Sequence, residues 1–172
     1  MTTAPDPTRR ALLFGRAAAA PPLRPPWALE ESDFLDACTA CGACVERCPE
    51  HVLVAGPHRT PVFDPHLGEC TFCGDCAAAC TPRALDRTRV PTAWQAVAVA
   101  GEACLTRHGV VCSSCRDACP ERAIAFPLIS RSQASPVPAP SIDADRCTGC
   151  GACVGVCPAD ALSIQPRATE NA

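Results

Sequence analysis

The sequence predicts an α+β fold made of two similar units in tandem, preceded by a flexible N-terminal tail. Three observations predict it. Sixteen cysteines in 172 residues fall into four clusters with nearly the same spacing. Short apolar segments at residues 52–55, 96–100, 123–126 and 162–164 have the length of brief strands or helical turns. The first thirty residues contain no cysteine and are rich in proline and alanine.

The four cysteine clusters are internal repeats. Three of them share the spacing C-x2-C-x2-C-x3-C, and the third along the chain stretches only its first gap, to seven residues. The repeats are Cys38, Cys41, Cys44 and Cys48; Cys70, Cys73, Cys76 and Cys80; Cys104, Cys112, Cys115 and Cys119; and Cys147, Cys150, Cys153 and Cys157. This spacing is typical of the bacterial run that binds [4Fe–4S] clusters, in which the fourth cysteine ligates the other cluster of a pair. Sixteen thiolates at four per cluster predict four [4Fe–4S] clusters.

The spacing also predicts the local backbone. Cysteines two residues apart cannot share one face of a helix, where neighbours recur at three and four residues, so each triplet must wrap a loop around its cluster. Such a loop needs small residues, and the sequence supplies Gly42-Ala43, Gly74-Asp75, Ser113-Ser114 and Gly151-Ala152. The second repeat departs from the others because Thr81 follows Cys80 and the proline comes one residue later, at Pro82.

Two other uses of cysteine fit the pattern less well. A disulfide framework needs an oxidising compartment and does not explain four evenly spaced runs. Structural zinc sites use pairs of C-x2-C separated by a longer stretch, rather than triplets with a trailing cysteine. Cys104 departs most from the common spacing, yet it brings the number of ligands to a multiple of four.

The spacers between repeats predict how the repeats pair. Twenty-one residues separate Cys48 from Cys70, and 27 separate Cys119 from Cys147, including a surface loop rich in proline and serine at residues 130–141. We therefore expect a tail at residues 1–29 and two bacterial ferredoxin-like domains with two clusters each, at residues 30–92 and 93–172. Crossing the fourth cysteines gives the ligand sets Cys38, Cys41, Cys44 and Cys80; Cys70, Cys73, Cys76 and Cys48; Cys104, Cys112, Cys115 and Cys157; and Cys147, Cys150, Cys153 and Cys119.

Composition narrows the class of protein. Aromatic residues make up only 4% of the chain, so an ordinary apolar core would be weak and the clusters are expected to serve as much of it. The formal charge is −3 with neutral thiols, and four clusters bring it to about −11. Such an acidic protein is not expected to bind nucleic acid or an anionic membrane. No nucleotide-binding fingerprint, flavin motif or acid–base pair stands out, so no catalytic residues are predicted.

The N-terminal segment contains Arg9-Arg10 followed by a short apolar run, which superficially resembles a twin-arginine export signal. The run ends at Phe14, whereas a signal needs about 7–15 apolar residues. No stretch has the length of a membrane span. The sequence therefore predicts a protein that stays in the cytoplasm.

With these motifs together, the chain resembles the NapF family, the ferredoxin-type accessory proteins of periplasmic nitrate reductase systems. The resemblance rests on Arg9-Arg10-x2-Leu13-x-Gly15-Arg16, Arg24-Pro25-Pro26-Trp27, Glu30-Glu31-Ser32-x-Phe34-Leu35 and Cys104-x7-Cys112. It implies a cytoplasmic iron–sulfur protein, not itself an enzyme, that contacts the catalytic subunit of the nitrate reductase before export. The implied role is maturation of that subunit, with or without the supply of electrons.

Two alternatives stay open at this stage. One is a general polyferredoxin that serves as the electron-transfer subunit of another oxidoreductase complex, and the other is a scaffold whose clusters are purely structural. A further hypothesis concerns Arg9, Arg10, Arg16, Arg24 and Trp27, which lie outside every cysteine repeat. Arginine and tryptophan often anchor interfaces, so these residues are expected to dock the partner unless the tail is simply solvated.

Overall fold

A computed structural model describes residues 22–127 and 137–167 of the chain. It contains five short α-helices, six short strands and two 3-10 helices within these residues. The helices are α1 Glu31–Ala37, α2 Ala43–Glu46, α3 Asp75–Ala78, α4 Ser114–Asp117 and α5 Ala152–Gly155. The strands are β1 Leu53–Ala55, β2 Pro61–Phe63, β3 Ala96–Ala100, β4 Ile124–Ala125, β5 Ser141–Ile142 and β6 Leu162–Pro166. The 3-10 helices are Pro57–Arg59 and Leu105–His108.

The two halves of the chain repeat one plan. Between the two cysteine repeats of each half lies an antiparallel strand pair, β1–β2 in the first half and β4–β5 in the second. In the second half, β3 before the repeats also pairs with β6 after them, from Ala96 opposite Pro166 to Ala100 opposite Leu162. The first half has a single antiparallel bridge at the same place, between Ala28 and Leu85. The predicted α+β fold with tandem ferredoxin-like units is confirmed.

Each half has its own core. Phe34, Val52 and Leu85 are among the most buried residues of the first core, and Val154, Ile124 and Leu162 lie in the second. Five cysteines are also part of these cores, each with only 7–8% of its surface exposed. They are Cys44, Cys48, Cys76, Cys115 and Cys153. Cysteine therefore fills core positions that aliphatic residues take in ordinary small domains.

The segment before the first repeat corrects the expectation of a tail reaching residue 29. Trp27 is only 5% exposed and belongs to the first core. Its carbonyl accepts a hydrogen bond from the amide of Asp86 at 2.9 Å, and the amide of Leu29 donates to the carbonyl of Ala84 at 3.0 Å. The Ala28–Leu85 bridge thus occupies the position that the β3–β6 pair has in the second half. Residues 22–29 are therefore part of the first unit, where they pair with the strand edge at Leu85. The other residues of the predicted docking segment, Arg9, Arg10 and Arg16, lie outside the described residues.

The four helices inside the cysteine repeats are each one turn long. A glycine in the left-handed region precedes three of them, with φ of 83° at Gly42, 86° at Gly74 and 91° at Gly151. Ser113 stands at the equivalent position of the third repeat and has φ of −131°, which a side chain tolerates. The third repeat also differs upstream, where Leu105–His108 fills the long gap. Most of the loop predicted at residues 130–141 lies outside the described residues, and Ser141 begins β5. Among the helices that the structure describes, none is long and apolar enough to cross a membrane.

Candidate iron–sulfur sites

The first cavity is lined by three cysteines of the first repeat and the last cysteine of the second. These are Cys38, Cys41, Cys44 and Cys80. Phe34, Pro61 and Leu85 close its sides. The loop around Gly42 carries Cys41 on its exposed side and Cys44 on its buried side. Cys80 reaches this cavity because α2 and α3 pack against each other.

The second cavity shows the reciprocal arrangement. It is lined by Cys70, Cys73 and Cys76 of the second repeat together with Cys48, the last cysteine of the first. Trp27, Val52 and Phe72 provide apolar walls. Trp27 was expected in a docking tail, but its ring covers this cavity and is itself covered by the guanidinium of Arg87 at 4.8 Å.

The second half repeats the exchange. The third cavity is lined by Cys104, Cys112, Cys115 and Cys157. The fourth is lined by Cys147, Cys150, Cys153 and Cys119. Each cavity thus has the same four-cysteine composition, and the structure brings together all four sets that the sequence predicted.

Cys104 reaches the third cavity despite its long gap. The 3-10 helix Leu105–His108 takes up the extra residues and ends at Gly109 with φ of 78°. Within it, Thr106 is only 1% exposed, and its hydroxyl oxygen lies 3.3 Å from Sγ of Cys104. The insertion therefore places a buried hydroxyl beside Cys104. Sequence reasoning did not single out Thr106, because a lone threonine carries no spacing signal.

Backbone amides point at the last cysteine of three repeats. The amides of Leu85, Ala123 and Ala161 donate to Sγ of Cys80, Cys119 and Cys157 at 3.4, 3.4 and 3.3 Å. In the third and fourth repeats the donor lies four residues after the cysteine, whereas in the second it lies five residues after. The shifted proline, Pro82, accompanies this change of register. A fourth amide, that of Ala98 in β3, donates to Sγ of Cys147 at 3.4 Å. Such hydrogen bonds favour the thiolate over the thiol.

Burial has the opposite effect on the thiols. It raises the pKa of Cys44 and of Cys70 to about 11, and the pKa of Cys76 and of Cys153 to about 12. Buried thiols without a cation are therefore neutral at pH 7. Cys41, on the open side of the first cavity, has a lowered pKa because the Ala43 amide donates a hydrogen bond to it. A positively charged group in each cavity would displace the protons from the buried thiols, and its binding would release them.

The donor sets fit a cluster better than a single ion. Among the described residues, no group of three or more histidine, cysteine, aspartate or glutamate side chains is arranged to hold one metal ion. The four cysteines of each set instead surround a cavity, as the four iron corners of a [4Fe–4S] cluster require. Zinc would need the four sulfurs to converge on one point. No histidine lines any of the four cavities.

Fold and sites together define a class, that of ferredoxin-type iron–sulfur proteins with two dicluster units. The profile of the 4Fe–4S dicluster domain matches residues 37–84 and 110–161. The chain is 38% identical over 161 residues to the ferredoxin-type protein NapF of Escherichia coli K12, covering 93% of this chain and 95% of that protein. It is 41% identical to NapF of Haemophilus influenzae, covering 83% of this chain and 78% of that protein. The chain belongs to the NapF family of ferredoxin-type proteins.

A second group of relatives carries a different name. The methylamine utilization ferredoxin-type protein MauM of Methylorubrum extorquens is 39% identical over 165 residues, covering 87% of this chain and 75% of that protein. Both groups are ferredoxin-type proteins, so the iron–sulfur, electron-carrying character of the chain does not depend on which group it is compared with. Nothing in the described sites or the comparisons points to catalysis by the chain itself.

Proposed function

We propose that the chain carries four [4Fe–4S] clusters, one in each cavity, with the four lining cysteines as ligands. The observation that carries this proposal is the crossed grouping of sixteen cysteines into four sets of four around similar cavities. When bound, such clusters supply one-electron transfer. Anaerobic reconstitution followed by iron and sulfide analysis tests it, with about 16 iron atoms expected per chain. A count near eight would contradict the proposal.

The residues around each cavity would tune the bound group. Amides that donate to Sγ lower the electron density on the thiolates, and more such bonds favour the reduced cluster. The apolar walls, such as Phe34 in the first cavity and Trp27 in the second, keep water from the sulfurs. The first cavity is open at Cys41, which is exposed, so an electron partner has an approach on that side.

We further propose that the protein acts in the cytoplasm on the catalytic subunit of a periplasmic nitrate reductase, as an electron carrier in the maturation of that subunit before export. Support comes from identity to NapF proteins across nearly the whole chain. Co-purification of the tagged protein with the unexported catalytic subunit tests this. The docking segment is tested by deleting residues 1–21 only, because residues 22–29 belong to the first unit.

A second candidate is an electron-transfer subunit of another oxidoreductase complex. This candidate is supported because the chain is about as similar in sequence to a MauM protein as to NapF proteins. Mass spectrometry of the proteins recovered with the tagged chain distinguishes the two, since a partner other than the nitrate reductase subunit would support the second. Reversible reduction by dithionite separates both from a purely structural scaffold, whose clusters would not cycle.

A further inference from the structure

The two dicluster units meet at a specific junction made by the fourth cysteine repeat. The amide of Cys70 donates a hydrogen bond to the carbonyl of Cys150 at 2.7 Å. Nε1 of Trp94 donates to the carbonyl of Thr148 at 2.8 Å. The ring of Trp94 packs at the same time on Phe63 and Phe72 of the first unit, with centroid distances of 4.9 and 5.6 Å. Trp94 therefore fastens the loop of the fourth repeat to the first core.

The glycines of the fourth repeat show that this junction is closely fitted. A methyl group on Gly151 would lie 2.9 Å from Cζ of Phe63 and 2.9 Å from Cβ of Pro65. Gly42 occupies the same position in the first repeat with nearly the same φ, and a methyl group there would have no neighbour within 4 Å. Both glycines have a backbone angle that disfavours a side chain. At Gly151, contact with the first unit also leaves no room for one.

A second position in the loop is closely fitted against Trp94 and against β3 of its own unit. Gly149 has φ of 72°, and its equivalents Ala40 and Phe72 adopt φ of 53° and 54° although they carry side chains. A methyl group on Gly149 would lie 2.7 Å from the carbonyl oxygen of Ala96 and 2.9 Å from Nε1 of Trp94. A side chain is therefore tolerated at this place in the first two repeats and excluded in the fourth, where Trp94 and Ala96 approach.

The junction lies between the second and fourth cavities, because Cys70 lines the second and Cys150 the fourth. Within the first unit, the segment from Cys44 to Cys48 connects the first cavity with the second. Within the second unit, the segment from Cys153 to Cys157 connects the fourth cavity with the third. The spatial order of the cavities is therefore first, second, fourth, third.

We propose that the two units form one continuous electron relay in that order, with the Cys70–Cys150 hydrogen bond and Trp94 as the link between them. This inference rests on the proposed cluster ligation. With clusters bound, one electron leaving the cluster held by Cys70 would be taken up by the cluster held by Cys150, so the exchange would balance within the chain and need no proton. Two ferredoxin units held only by a linker would instead exchange electrons through transient collisions rather than through a fixed contact.

The test compares Gly151→Ala with the matched control Gly42→Ala in the reconstituted full chain. Both variants carry the same backbone strain, but only Gly151→Ala presses on Phe63 and Pro65. Hydrogen exchange mass spectrometry of peptides containing Cys70 reports the junction, and the paramagnetic resonance spectrum of the fully reduced protein reports magnetic interaction between neighbouring clusters. We expect about tenfold faster exchange at Cys70 and narrower resonance lines in Gly151→Ala, and neither change in Gly42→Ala.

Unchanged exchange and unchanged line widths in Gly151→Ala, at full iron content, would overturn the relay. The wild-type protein gives an independent test that needs no variant. Its Cys70 amide should be protected, and exchange as fast as in exposed loops would overturn the junction. Trp94→Phe, which keeps the ring packing and loses the bond to Thr148, should speed exchange at Cys70 with no loss of iron. A low iron count in the wild-type protein overturns the proposed function, and a full count with an unprotected Cys70 overturns only the relay.

Discussion

Arg24 holds Glu31 through both oxygens of its carboxylate. Nε of Arg24 donates to one oxygen at 2.9 Å, and a terminal guanidinium nitrogen donates to the other at 2.7 Å. The guanidinium also donates to the hydroxyl of Thr60 at 2.8 Å and stacks on the ring of Phe34 at 4.7 Å. One side chain thus connects the segment before the first repeat to α1 and to the start of β2. Its planar fork suits this role better than a lysine would.

Replacing Arg24 should destabilise the first unit. Arg24→Ala removes the hydrogen bonds to Glu31 and Thr60 and the stacking on Phe34, which together contribute about 2 kcal/mol. For a protein of this size, the midpoint of thermal unfolding should fall by about 4–8 °C under anaerobic conditions. Arg89→Ala is the control, because the side chain of Arg89 forms an exposed ion pair with Asp33 at 3.4 Å. Equal effects of the two substitutions would show that Arg24 is an ordinary surface residue.

The pair also predicts a pH dependence. The hydrogen bond from Arg24 lowers the pKa of Glu31 below its usual value of 4.5. A carboxyl group with a lowered folded-state pKa stabilises the fold above its unfolded pKa, and that contribution disappears as the pH falls through the folded pKa. The stability difference between wild type and Glu31→Gln should therefore be full at pH 7 and be lost progressively as the pH falls below 4.5 and through the lowered folded-state pKa of Glu31. A difference independent of pH would contradict the ion pair.

The crossed ligation predicts that the last cysteine of a repeat matters to the neighbouring site. Cys48→Ser should loosen the loop at residues 70–76, and Cys80→Ser should loosen the loop at residues 38–44. The reason is that Cys48 lines the second cavity and Cys80 the first. Hydrogen exchange of the two loops in both variants measures this, with rates raised about tenfold in the affected loop. The reverse pattern would mean that each repeat ligates its own cluster.

Removing iron should unfold the protein. The helices within the repeats are one turn long, and isolated helices of that length do not form in water. Cysteines occupy buried positions in both cores, so cluster loss leaves unfilled cavities and neutral thiols there. We expect chelation under air to abolish the cooperative thermal transition, as measured by circular dichroism. An iron-free protein that melted as sharply and as late as the loaded form would refute this.

The spacing of the cysteines predicted which four of them line each cavity, because the loop length and the thiol positions within a repeat are local properties. The sets that include Cys48 and Cys104 follow from a repeat that the sequence displays directly. The role of Trp27 was not predicted, because proline and alanine around it suggested a solvated tail. A signal did exist: the second unit has an apolar segment at residues 96–100 before its first cysteine, so the first unit needs a counterpart before Cys38.

The junction between the units lay beyond sequence reasoning for a different reason. Trp94 stands in a segment between two repeats and shows no periodicity that points to Thr148, 54 residues later. In the sequence, the segment that contains Gly149 and Gly151 looks like an ordinary cluster-binding loop. Their contacts with Trp94 and Phe63 arise only when the two units are in place. Long-range fits of this kind depend on shape rather than on residue pattern.

The exchange of last cysteines between repeats has a consequence for biosynthesis. A growing chain presents Cys38, Cys41 and Cys44 early, but the first cavity has no fourth thiol until Cys80 is made. The second cavity gains its last thiol at Cys76, only four residues sooner. Neither site can be filled while the ribosome is still making the spacer, and both become complete almost together. Iron–sulfur delivery to the nascent protein would therefore proceed in two paired steps, the first near residue 80 and the second near residue 157.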